Sequence, residues 1–105
     1  IMFKNLGDLQ KMLQSAREIQ EKIEKELAEI RVEGSSGGGM VKVTLDGRKN
    51  LISIHLEPEI VNPADCEMLE DLILAAFNDA STQVEEQLAA KLGALGAGFK
   101  IPGLV

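Results

Sequence analysis

Between Leu9 and Ile30 the apolar residues return at Leu9, Met12, Ala16, Ile19, Ile23, Leu27 and Ile30, always three or four positions apart. That spacing lays one greasy stripe along a helix, close to a heptad seam. Asn5 is placed to cap its start, Asp8 suits the positive helix end, and neither Gly nor Pro interrupts residues 8–33. A helix over 5–28 would run about 36 Å at 1.5 Å per residue. A compact domain of this length has a radius of gyration of about 13 Å. The helix is therefore expected to project beyond its own globule.

After Ile30 the period changes from helical to alternating. Ile30 and Val32 alternate with Arg31 and Glu33, then Val41, Val43 and Leu45 with Lys42 and Thr44, then Ile52, Ile54 and Leu56 with Ser53 and His55. Three strands with one apolar face follow, filling residues 29–57. Asp46-Gly47 predicts a tight hairpin with a basic tip at Arg48 and Lys49. The glycine cluster "GSSGGG" between the first two strands lacks the Lys and Ser or Thr of a phosphate-binding loop, and a strand follows where a helix would be needed. It reads as a turn whose glycines supply positive φ, with Ser35 and Ser36 bonding to local backbone.

A second long helix is predicted over 62–92. Asn62 caps it, Pro63 fits its first turn, and Gly93 would follow its end. Its first half, from Leu69 to Phe77, is apolar around much of the circumference and should lie on the sheet. Its second half keeps only the narrow stripe Ala80, Val84, Leu88 and Leu92, which should pair with the first helix as a two-helix arm. Residues 93–105 are small, uncharged apart from Lys100, and expected to form a flexible tail. The whole chain, 1–105, is thus one α+β domain with a three-stranded antiparallel sheet.

Composition narrows the chemistry. Only 3% of residues are aromatic, without Trp or Tyr, which argues against a base-stacking platform. One cysteine, no bilayer-length apolar run and no secretory-type leader point to a reducing, cytoplasmic setting without a membrane anchor. The net charge is -6, but it is unevenly spread. Residues 4–31 balance six bases against six acids, whereas Asp65, Glu67, Glu70, Asp71, Asp79, Glu85 and Glu86 face only Lys91 in the second helix.

No catalytic or metal-ligating set emerges. His55 stands alone on the polar face of a strand, Cys66 sits between Asp65 and Glu67, and the adjacent acidic pairs point in different directions on a helix. A non-enzymatic protein needing no cofactor, metal or small-molecule substrate is expected. Among the basic groups, Lys4, Lys11 and Arg17 have the fewest acidic neighbours and are the better candidates for phosphate contact. Overlong helices and unpaired strand edges also predict a symmetric homodimer with two projecting arms.

The opening "MFKNLGDLQKML", the central "VEGSSGGGMVKVTLDGRKNLISIHLEPEIV", then "MLEDLILAAFNDA" and "GAGFKIPG" together resemble the YbaB/EbfC family of bacterial nucleoid-associated proteins, over essentially the whole chain. The resemblance implies an α-β-β-β-α protomer, a tweezer-like homodimer, and double-stranded DNA as partner. It implies a role in chromosome organisation and gene regulation within the nucleoid. Carried over by position, the helix ends that grip the duplex correspond to Lys4 and Lys11 in the first helix, with Arg17 added, and to Gln83, Gln87 and Lys91 in the second. The rival class is a protein-interaction adaptor for a repair or replication factor, which the acidic second helix would suit.

Overall fold

A computed structural model of the chain describes residues 6–98. Helix α1 spans Leu6–Glu29, strands β1, β2 and β3 span Val32–Ser36, Val41–Leu45 and Leu51–Leu56, and helix α2 spans Cys66–Gly98. The order α-β-β-β-α and the antiparallel sheet β1-β2-β3 agree with the sequence reading. The expected Asn5 cap lies outside the described residues, as do positions 99–105 of the expected tail.

α1 ends where Ile30 N–H closes a tight turn onto Leu27 O, while the Arg31 guanidinium donates to the Ala28 and Ile30 carbonyls that the helix leaves open. α2 starts through two linked caps. Asn62 Oδ1 accepts from Ala64 N–H at 3.0 Å with Pro63 in the first turn, and Asp65 Oδ1 accepts from Met68 N–H at 3.2 Å. α2 then continues through Gly93 instead of stopping there. One glycine costs about 1 kcal/mol against alanine in a helix, and Ala89, Ala90, Lys91, Leu92, Ala94 and Leu95 around it are strong helix formers.

Val41, Val43, Leu45 and Val32 of the sheet are buried against Ala76, Ala80 and Val84 of α2, with Ile60 at the edge of the cluster. Each fully buried Val or Leu contributes about 1.5–3 kcal/mol of transfer free energy. The helix lies unusually close to β1 because Gly34 has no side chain. A Cβ there would overlap the Ala80 amide nitrogen and the Ala76 carbonyl, and stand 2.7 Å from Ala80 Cα. α2 also closes the outer edge of β1, where Ser35 N–H donates to Asp79 Oδ2 at 3.0 Å.

Both turns differ from expectation in their bonding. Gly37, Gly38 and Gly39 do take positive φ, at 61°, 70° and 93°, but the Ser36 hydroxyl donates across to Leu72 O of α2 and not to its own loop. The Asp46-Gly47 corner is not a two-residue hairpin. Asp46 Oδ1 accepts from the amides of Arg48 and Asn50, Asp46 Oδ2 accepts from the Asn50 side chain, and positive φ falls on Lys49. Gly47 serves a different need, since its N–H donates to Leu27 O at 2.9 Å and an added Cβ would lie 2.8 Å from that oxygen.

α1 therefore rests on the globule only at its last turn. None of its described residues is buried, and it packs lengthwise against no other element. The expected intrachain pairing of α1 with the distal half of α2 does not form. Ala80 and Val84, half of the stripe expected to make that pairing, are packed on the sheet. The result is elongated, 71 × 28 × 18 Å with a radius of gyration of 20.6 Å.

Candidate nucleic-acid interface

The basic candidates on α1 lie on its exposed surface. Lys11 shares a shallow depression with Gln10, Gln14, Ser15 and Glu18, and Arg17 borders a second one with Gln10, Leu13 and Gln14. Gln10 and Gln14 thus link the two cations into one polar track, a role that charge counting alone passes over. Their spacing at i and i+4 is the signal that the sequence offers. Gln14 Nε2 reaches Glu18 at 3.4 Å, while neither Lys11 nor Arg17 enters an ion pair among the described residues. Lys4 lies outside the described residues.

On α2, Gln83, Gln87 and Lys91 recur every four residues and so form one stripe. Gln83 is half-buried and its amide donates to Asp79 Oδ2 at 3.2 Å, whereas Gln87 and Lys91 are exposed. Within one protomer the α1 track and the α2 stripe are not brought together, because the two helices do not pack on each other.

The acidity of α2 is partly offset in place. Lys49 Nζ donates to Glu85 Oε1, tying the turn after β2 to the middle of α2. Inside the same turn, Asp46 is buried yet stays readily ionised. Burial works to raise its pKa, but the Asn50 backbone amide, the Asn50 side chain, the Arg48 amide and the nearby Arg31 charge together hold it below its ordinary value. This carboxylate is a structural anion.

Among the described residues, no group of His, Cys, Asp and Glu could hold a metal ion, and no helix is long and apolar enough to cross a membrane. Cys66 is exposed and its thiol faces Pro63 O, and His55 stands on the outer sheet face opposite Lys42 with Glu57 at 3.2 Å.

The sequence profile of the YbaB/EbfC DNA-binding family matches residues 3–99. Nucleoid-associated protein TTE0040 of Caldanaerobacter subterraneus subsp. tengcongensis is 47% identical over 100 residues, covering 95% of this chain and 90% of that protein. Nucleoid-associated protein Rru_A3472 of Rhodospirillum rubrum is 40% identical over 99 residues, covering 94% and 92%. The crystal structure of uncharacterized protein HP0035 from Helicobacter pylori shares the fold, with a TM-score of 0.68 at 22% identity over 89% of this chain and 98% of that one. With a match over nearly its full length and relatives 40–47% identical, the chain belongs to the YbaB/EbfC DNA-binding family.

Proposed function

We propose that this protein is a nucleoid-associated DNA-binding protein that acts as a homodimer and clamps double-stranded DNA between its helical arms, thereby organising the chromosome. The observation that carries the reading is α1: 24 residues, none buried, bearing Lys11 and Arg17 on a rod that stands clear of the globule. Lys4, Lys11 and Arg17 are assigned to phosphate contacts, and Gln83, Gln87 and Lys91 to the facing arm. Two copies are invoked because one protomer holds the two sets apart and leaves Leu6, Leu9, Met12, Leu13, Ile19 and Ile23 of α1 exposed.

With a net charge of -6, attraction to a polyanion depends on this local track, so binding is electrostatic, modest in affinity and steeply salt-dependent. Membership of a DNA-binding family supports duplex DNA over a protein client as the partner. The test is titration of a labelled duplex with wild type and with Lys11→Glu across a salt series. Affinity that falls with salt and collapses on charge reversal supports the reading, and affinity indifferent to both refutes it.

A further inference from the structure

Helix α1 carries a second pattern on the side opposite its apolar stripe. At about 3.6 residues per turn each residue advances about 100° around the axis, so Gln14 stands directly opposite the middle of the stripe Leu9, Met12, Ala16, Ile19 and Ile23. Gln10 lies about 40° to one side of Gln14 and Glu18 about 40° to the other, while Arg17 and Lys11 flank them at about 60° on either side. Two amides and a carboxylate thus run down the centre of one face, and a cation stands on each border.

This face is open in the structure. Gln10, Gln14 and Glu18 are exposed and line one shallow depression with Gly7 and Lys11, and Arg17 borders the adjoining one. Among the described residues, no other element packs along this length of α1. Gln14 Nε2 donates to Glu18 Oε1 at 3.4 Å. That contact uses one of the two N–H groups of the amide and leaves the other beside Oε1, a donor and an acceptor side by side.

We infer that Gln14, with Gln10 and Glu18 beside it, reads base edges in the major groove and selects A·T pairs, while Lys11 and Arg17 hold the phosphates on either side. This rests on the DNA-binding reading proposed above and names the class of sequence that the same track prefers. A helix with its side chains is about 10–12 Å across and the major groove about 12 Å wide. Cations on both borders therefore meet both backbone walls, with the glutamines toward the floor. A primary amide pairs bidentately with adenine, which presents the N6 donor beside the N7 acceptor, whereas guanine presents two acceptors, O6 and N7. The Glu18 carboxylate sharpens the choice, since it accepts from an amino group and repels the guanine acceptors. Arg and Lys, the side chains that pair best with guanine, stand at the borders where phosphates lie.

The experiment is fluorescence anisotropy on the full chain with labelled duplexes of equal length: one rich in A·T, one rich in G·C, and the second again with inosine in place of every guanine. Inosine lacks the minor-groove amino group of guanine but keeps O6 and N7, so the third duplex resembles A·T in the minor groove and G·C in the major groove. The wild type is expected to bind the A·T duplex about tenfold tighter than either of the others, the scale of one good bidentate base contact. Gln14→Ala should lose that preference while keeping the salt dependence of the phosphate contacts. The site is exposed and alanine is a strong helix former, and circular dichroism checks that the variant folds. A wild type without preference for A·T, an inosine duplex bound as tightly as A·T, or a Gln14→Ala protein that keeps the preference overturns the base reading and leaves the phosphate contacts standing. A wild type that binds none of the duplexes overturns both.

Discussion

Gly34 on β1 and Ala80 on α2 meet backbone to backbone, with Ala76 completing the contact one turn earlier. Main chain of helix and sheet lies in contact here, beside the buried Ala76, Ala80 and Val43 of the core. Gly34→Ala should destabilise the fold by about 3 kcal/mol, because rigid main chain has to move. For a domain of this size that is a fall of about 12–24 °C in melting temperature, measurable by circular dichroism. Gly38→Ala is the control: nothing lies within 4 Å, so only the positive φ of 70° is penalised, at about 1–2 kcal/mol.

Asp46 should give the protein an acid-sensitive turn. Its folded pKa lies below the ordinary 3.8, so its contribution is complete at neutral pH and is lost as pH falls through the folded value. Asp46→Asn should be less stable than wild type at pH 7, with the gap closing as pH falls below the ordinary carboxylate value of 3.8 and through the lower folded one. Urea unfolding from pH 7 to pH 2 follows it, and a gap that is independent of pH would mean that the charge contributes nothing.

Gly47 and Lys49 sit two residues apart but should respond differently. Gly47→Ala pushes a methyl onto Leu27 O and should loosen the end of α1, at a cost of about 1–3 kcal/mol. Lys49→Gly relieves a positive φ of 64° while breaking an exposed ion pair to Glu85, effects of about 1 kcal/mol or less that oppose each other. Its stability should stay within about 0.5 kcal/mol of wild type.

On the proposed DNA surface, removing one cation that neutralises a phosphate should lower the slope of log affinity against log salt by about 0.9. Lys11→Gln and Arg17→Gln should each flatten that slope, by about twice this amount if both copies of a dimer contribute. Gln87→Ala should weaken binding without changing the slope, because an amide displaces no counterion. Fluorescence anisotropy at several salt concentrations separates the two behaviours.

Period alone makes the order of elements legible. The shift from three-and-four spacing to alternation at Ile30 marks where α1 hands over to the sheet, and Asn62-Pro63 announces α2. What stays hidden is decided by distant partners. Nothing near Gly34 in the sequence says that Ala76 and Ala80 will lie on it, and Gly47 looks like a turn former until Leu27 is seen beside it. The Ala80–Val84 stripe points to the wrong neighbour because a narrow apolar stripe fits a helix or a sheet equally well. On the candidate site, charge marks Lys11 and Arg17, while the glutamines that join them carry no charge to draw notice.

The clip between Gly47 and Leu27 turns α1 into a lever with its fulcrum at one end. Its 24 residues give an arm of about 36 Å, so a tilt of about 10° at the fulcrum carries the tip through about 6 Å, half the width of a DNA major groove. In the proposed dimer, the width of the gap between two such arms would be governed by a joint far from the point of contact. Substitutions at Leu27, Ile30 or Gly47 would retune it without touching a residue that meets the ligand.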